Sequence, residues 1–83
     1  MASGSVKKII KIITGELPAS TGDSIISSVI PDGYLVVSCM FYTTYNQWRP
    51  LSVGQTSDGT GLVVLGLAQG QISRPYRAIV VAQ

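Results

Sequence analysis

The residues best equipped for chemistry sit together in Tyr42-Thr-Thr-Tyr-Asn-Gln-Trp48, followed at once by Arg49. Three of the chain's six aromatic side chains (four Tyr, one Phe and one Trp in all) fall in this stretch. Tyr and Trp carry a flat apolar face and a polar tip, a combination that suits sugar rings and protein hot spots. The amides of Asn46 and Gln47 each combine donors with an acceptor, as a hydroxyl-rich ligand requires. Tyr42, Tyr45, Asn46, Gln47, Trp48 and Arg49 are therefore the candidate ligand-binding residues. The same residues have a structural reading: Tyr42 and Trp48 brace each other across a hairpin, with Asn46 and Gln47 as its turn.

Nothing else in the chain points to catalysis. Without histidine there is no ordinary Ser-His or Cys-His pair. Ser-Lys and two-carboxylate arrangements stay formally open, but Glu16, Asp23, Asp32 and Asp58 all lie in or beside turn signals. Asp32 and Asp58 precede glycines, a placement that turn geometry explains by itself. The expectation is a protein that is not an enzyme, with no catalytic residue. One cysteine and scattered acids make no metal cage, so no metal is expected. Cys39 lies in an apolar run and reads as a small buried hydrophobe. The loop Gly54–Gly61 (GQTSDGTG) lacks the pattern of a phosphate cradle and reads as a hairpin connection. Lys7, Lys8 and Lys11 flank an apolar strand, where they form a solvated face or guard an edge.

The elements that must position the aromatic cluster read as short strands. Val6–Ile13 carries four isoleucines and a valine, all stiff at χ1, which favours a strand stopped by Gly15 and Pro18. Its Val6, Ile9, Ile10, Ile13, Leu17 spacing also fits an amphipathic helix suited to a membrane surface or a partner, the lesser reading. Ser24–Ile30 is a second strand. Pro31-Asp-Gly33 places Pro and Gly at the second and fourth positions of a type I turn, or forms part of a bulged hairpin. Tyr34–Tyr45 is the longest strand-like run, with Leu35, Val37, Cys39 and Phe41 on one face and Tyr34, Val36, Ser38, Met40 and Tyr42 on the other. Both faces are largely apolar, which implies burial on both. Trp48–Val53, Leu62–Leu67 and Tyr76–Ala82 complete the set, with Pro50 placing its strand at an edge or delaying its start until after the proline. Met1–Ser5 reads as a flexible leader and residues 6–83 as one domain. Six strands separated by turn signals predict an all-β, small antiparallel sandwich, or a small barrel, with almost no helix.

Composition points to partner chains. The chain has 83 residues, of which 46% are hydrophobic and only 12% charged. So small a domain has a thin core, and the charged share is about half the usual value. No internal disulfide is possible with one cysteine, which leaves oligomerisation as the source of extra stability. The net charge of +2 is mild for a nucleic-acid binder. No apolar run approaches the ~20 residues of a membrane span, and no hydrophobic stretch of signal-peptide type follows Lys7 and Lys8.

The order of pieces resembles a known family. The Ile-rich start (KKIIKI), SIISSVIPDGYLVVSCMFY, the Trp-bearing aromatic-polar hairpin, the glycine-rich loop and the closing RPYRAIVVAQ are similar to the C-terminal β-sandwich tip domains of bacteriophage tail fibres and receptor-binding tail proteins. Ile30–Tyr34 with its alternating continuation, and Tyr76–Val81, carry most of the likeness, which spans about residues 6–83. The resemblance implies a homotrimer at a fibre's distal end in the virion, made in the host cytoplasm. It implies attachment to a bacterial surface polysaccharide or protein, no cofactor, and possible joining to a longer tail-fibre chain. By position it implicates Tyr45–Trp48 and Gln55–Asp58 in recognition. Two alternatives stand beside it. One is a small basic barrel binding nucleic acid through Lys7, Lys8, Lys11, Arg74 and Arg77, with aromatics as base platforms. The other is a purely structural fibre-assembly or capping domain.

Overall fold

The computed structural model describes residues 9–83. The chain forms seven strands: β1 (Ile10–Glu16), β2 (Gly22–Ile26), β3 (Tyr34–Tyr42), β4 (Trp48–Pro50), β5 (Val53–Gln55), β6 (Leu62–Leu67) and β7 (Pro75–Ala82). A single 3-10 turn, Gln69–Gln71, is the only helical element among the described residues. The strands build two antiparallel sheets, one in the order β1-β7-β3-β4 (sheet A) and one in the order β2-β6-β5 (sheet B). Their facing sides enclose one core, so the fold is an all-β antiparallel sandwich. The leader Met1–Ser5 and the Val6–Lys8 portion of the first strand lie outside the described residues.

Strand alternation decides what the core contains. On β7, Tyr76, Ala78 and Val80 point inward and are buried, while Arg77, Ile79 and Val81 face out. Leu62, Val64 and Leu67 meet them from β6, and Leu17, Ile30 and Leu51 close the rims. Leu62, Val64 and Val80 are fully sealed, each contributing roughly 1.5–3 kcal/mol through burial.

Several expectations need correcting. The register of β3 against β7 passes from Val36↔Val80 to Ser38↔Ile79, so Val37 is the extra residue of a β-bulge. A bulge shifts the alternation by one. Tyr34 and Val36 therefore share the inner face with Cys39 and Phe41, whereas Leu35 and Val37 are exposed on the outer one. The expected strand Trp48–Val53 is two strands. Its first half closes the edge of sheet A, where Pro50 needs no donor, and its second half crosses to sheet B. That crossing raises the strand count from six to seven. At the crossing, Leu51 donates its N–H to the Cys39 carbonyl and Ser52 accepts from the Leu65 N–H.

Gly15 does not stop β1. It lies within the strand opposite Tyr76, because a Cβ there would come within 2.9 Å of the Tyr76 ring. The second strand ends at Ile26 rather than Ile30, since Ser28 adopts φ +58 and turns the chain. The Pro31 turn is also one residue later than expected. Tyr34 donates to the Pro31 carbonyl at 3.2 Å and Gly33 takes φ +80, the third position of a type II turn.

β4 pairs only with Met40–Tyr42, leaving the first half of that β3 edge without a strand neighbour. The Gln55 side chain fills the gap. Its Nε2 donates to the Tyr34 carbonyl (2.8 Å) and the Gly59 carbonyl (2.8 Å), and its Oε1 accepts from the Val36 N–H (3.1 Å). One side-chain amide thus presents the donor and acceptor that a neighbouring peptide group would present.

Candidate binding hairpin

The aromatic cluster is the β3–β4 hairpin. Tyr42 and Trp48 are direct cross-strand partners on the outer face of sheet A, with ring centroids 5.1 Å apart and planes tilted by 52°. Such a pair adds roughly 0.5–1.5 kcal/mol beyond its burial. Between them, Thr43 organises the turn. Its N–H donates to the Gln47 carbonyl at 2.8 Å, its carbonyl accepts from the Asn46 N–H at 3.1 Å, and its Oγ1 accepts from the Tyr45 N–H (3.1 Å) and the Gln47 N–H (3.2 Å). Asn46 takes φ +63, a left-handed conformation that asparagine tolerates better than most residues. Its Oδ1 accepts a hydrogen bond from the Tyr42 hydroxyl at 3.3 Å.

Two arginines that the sequence reading assigned only to the nucleic-acid alternative belong to this hairpin. The Arg77 guanidinium lies 4.2 Å from the Trp48 ring centroid and covers one of its faces. Arg74 donates from Nε to the Tyr42 carbonyl (2.8 Å) and from a terminal nitrogen to the Thr43 carbonyl (3.1 Å). The hairpin is thereby pinned to the start of β7 from both sides. No local pattern could have shown this, because the contacts join residues about 30 positions apart; Arg74 and Tyr42 are separated by 32.

The six candidate residues divide into groups. Tyr42, Trp48 and Asn46 brace the hairpin. Tyr45 stands at its tip with 84% of its surface accessible, beside exposed Gln47. Arg49 pairs with Phe41 and so lies on the inner face of the sheet, opposite Trp48. The bracing that the structural reading expects is present at Tyr42 and Trp48, while Tyr45 takes no part in it.

The two loops implicated by resemblance do not converge. The hairpin follows Tyr42, whereas Gln55–Asp58 lies beside Tyr34 at the other end of the nine-residue β3. At ~3.3 Å per residue the two ends of that strand are about 26 Å apart. The second loop borders an open cleft of ≈ 370 Å³ between Tyr34, Leu35, Gln55, Asp58 and Gln83. Within that loop Asp58 is a turn residue: its Oδ1 accepts from the Thr56 hydroxyl (2.6 Å), the Thr60 N–H (3.0 Å) and the Thr60 hydroxyl (3.1 Å). Those bonds, the Thr56 one foremost, hold its carboxyl below the usual range. Gln55 is fully occupied in holding β3.

Cys39 is buried in the core as the sequence suggested, and desolvation pushes its thiol up to about 11. Among the described residues no group of three or more His, Cys, Asp or Glu could hold a metal ion. The fold and hairpin define a small antiparallel β-sandwich bearing a rigid aromatic-polar turn. No protein-family model, curated protein or solved structure matches the chain.

Proposed function

We propose that this chain is a non-enzymatic attachment domain of the phage tail-fibre or receptor-binding kind, a homotrimer that grips a bacterial surface glycan with its β3–β4 hairpin. The observation that carries this reading is the hairpin's place in the fold. Ile10 pairs with Val81, so both ends of the described chain lie at the Tyr34 end of sheet A, and the Tyr45 tip projects from the opposite end. A larger assembly joined at either end would leave the tip free. There Tyr45 offers an open ring for stacking and Gln47 an amide for hydroxyl groups, while the braced Tyr42–Trp48 pair lowers the ordering cost of binding.

The cationic side chains favour this over the nucleic-acid alternative. Lys11 sits 5.1 Å from the Tyr34 ring centroid, Arg77 covers Trp48, and Arg74 is bonded to backbone carbonyls. These three, the cations of that alternative among the described residues, are dispersed rather than gathered into a phosphate-binding stripe.

The test is a panel of bacterial surface polysaccharides probed with the wild type and with Tyr45→Ala and Gln47→Ala variants. Because Tyr45 contributes nothing to the core, its alanine variant should keep the wild-type melting temperature and assembly while losing at least tenfold in affinity. Unchanged glycan affinity in a variant carrying both substitutions overturns the hairpin as the site. Binding to nucleic acid that falls steeply with salt, with no glycan binding, overturns the reading as a whole. Retention by surface proteins alone reassigns the ligand class.

A further inference from the structure

The outer face of sheet A is the largest feature that the hairpin does not explain. Inner residues of this sheet meet sheet B, but nothing among the described residues covers the other side. Alternation places Ile10 and Ile12 of β1, Ile79 and Val81 of β7, and Leu35 and Val37 of β3 on it. Ile10 and Ile12 are 63% and 61% exposed, and Leu35 and Val37 are 44% and 57% exposed. Exposed aliphatic residues scattered singly are ordinary, but a contiguous patch across three adjacent strands is not.

We infer that this face is where copies of the chain meet, with Ile12, Ile79, Val81, Leu35 and Val37 at the contact. Area, charge and geometry favour a second copy as the occupant. Three strands ~4.8 Å apart and about eight residues long span roughly 14 by 26 Å, or about 370 Å² in projection. Two such faces bury roughly 700 Å² in projection, and more once the relief of the side chains is counted, which approaches the ~1,000 Å² of a specific interface. Among the described residues, the charged groups on the face are Glu16 and Arg77, one of each sign, and Arg77 is already laid on Trp48. A face so nearly neutral meets its own copy without repulsion, whereas a charged partner would find little to pair with.

Its width also suits the three-fold arrangement proposed above, on which the stoichiometry, though not the choice of face, depends. Three faces about 14 Å wide around one axis stand about 4 Å from it, a little under half the ~10 Å at which sheets pack. One layer of Ile, Leu and Val side chains fills that depth. The Trp48–Arg77 stack lies toward the hairpin end of the same face, so the contact stops short of the Tyr45 tip.

The experiment is light scattering behind a sizing column at micromolar concentration. Wild type should have the mass of three chains. Ile12→Asp and Val37→Asp, both at exposed positions, should run as single folded chains by mass and circular dichroism. Ile25→Asp, on the outer face of sheet B, should keep the wild-type mass. Under mild oxidation Ser38→Cys, at the centre of the face, should form interchain disulfides where Ile25→Cys does not; this readout stands even if the Asp variants do not fold. A two-chain mass with the same variant pattern upholds the face and overturns the three-fold. An oligomer indifferent to both Asp variants, without Ser38 cross-linking, overturns the face and leaves the homotrimer standing. A monomeric wild type overturns both.

Discussion

Replacing Gln55 should cost this small protein a large part of its stability, although Gln55 belongs to no buried cluster. Its amide makes three hydrogen bonds, to the Tyr34 carbonyl, the Val36 N–H and the Gly59 carbonyl. At a net 0.5–1.5 kcal/mol each these sum to roughly 1.5–4.5 kcal/mol. The site is half-buried, so water recovers part of the loss when the side chain is truncated. Gln55→Ala is therefore expected to cost about 2 kcal/mol. Gln55→Glu should cost more. A carboxylate still accepts from the Val36 N–H, but it cannot donate to Tyr34 or Gly59 and sets a negative charge against both carbonyls.

The pH dependence separates this account from a loss of packing. On protonation the carboxyl introduced by Gln55→Glu regains a donor, so its folded-state pKa lies above the ordinary glutamate value of about 4.3. An acid with a raised folded pKa destabilises the fold at pH 7 and stops doing so as the pH falls through that value. The gap between Gln55→Glu and the wild type should therefore narrow toward pH 4, while the Gln55→Ala gap stays level. Urea denaturation followed by Trp48 fluorescence measures both, at matched chain concentrations. Since each kcal/mol shifts the melting point by roughly 4–8 °C in a domain of this size, the effect is well above error. A Gln55→Ala cost under about 0.5 kcal/mol, or a Gln55→Glu deficit that does not shrink in acid, refutes the strand-mimic explanation.

Two further outcomes follow from the core. Gly15→Ala puts a methyl 2.9 Å from Cε2 of buried Tyr76, and overpacking of this kind costs about 1–3 kcal/mol, whereas Gly54→Ala, with its nearest atom at 3.8 Å, should fall within about 0.5 kcal/mol; thermal melts of the pair decide it. Cys39, with its thiol raised to about 11, should resist alkylation at pH 8 until the protein unfolds. Because an unfolded thiol ionises near the ordinary 9.0 while the folded one does not, stability should fall as pH rises from 9 towards 11, by on the order of 2 kcal/mol, and Cys39→Ala should flatten that slope in alkaline denaturation curves.

The strands were legible in the sequence because their signals are local. β-branched runs, alternation, and Gly, Pro and Asp at turns specify an extended segment without reference to the rest of the chain. Leu62–Leu67 and the closing strand through Ala82 were read almost to the residue. The hairpin, too, was visible as an aromatic-polar turn between strand-forming runs. Cys39 was readable as buried because its neighbours are apolar. What it could not show was which face Cys39 shares, since a single inserted residue, Val37, reverses the alternation and depends on how β3 pairs with a strand far along the chain.

The chain by itself determined an all-β architecture and a hairpin carrying Tyr45, because propensity and turn chemistry act over a few residues. Only the tertiary structure decided how the candidate site is divided. Long-range pairing brought Arg74 and Arg77 to the hairpin, turned Arg49 to the opposite face, and set the Gln55–Asp58 loop at the far end of β3. It also decided that Gly15 lies within a strand, because the reason for that glycine is the ring of Tyr76 on the neighbouring one. Contacts of this kind depend on register between strands, and register is a property of the assembled sheets rather than of any stretch within them.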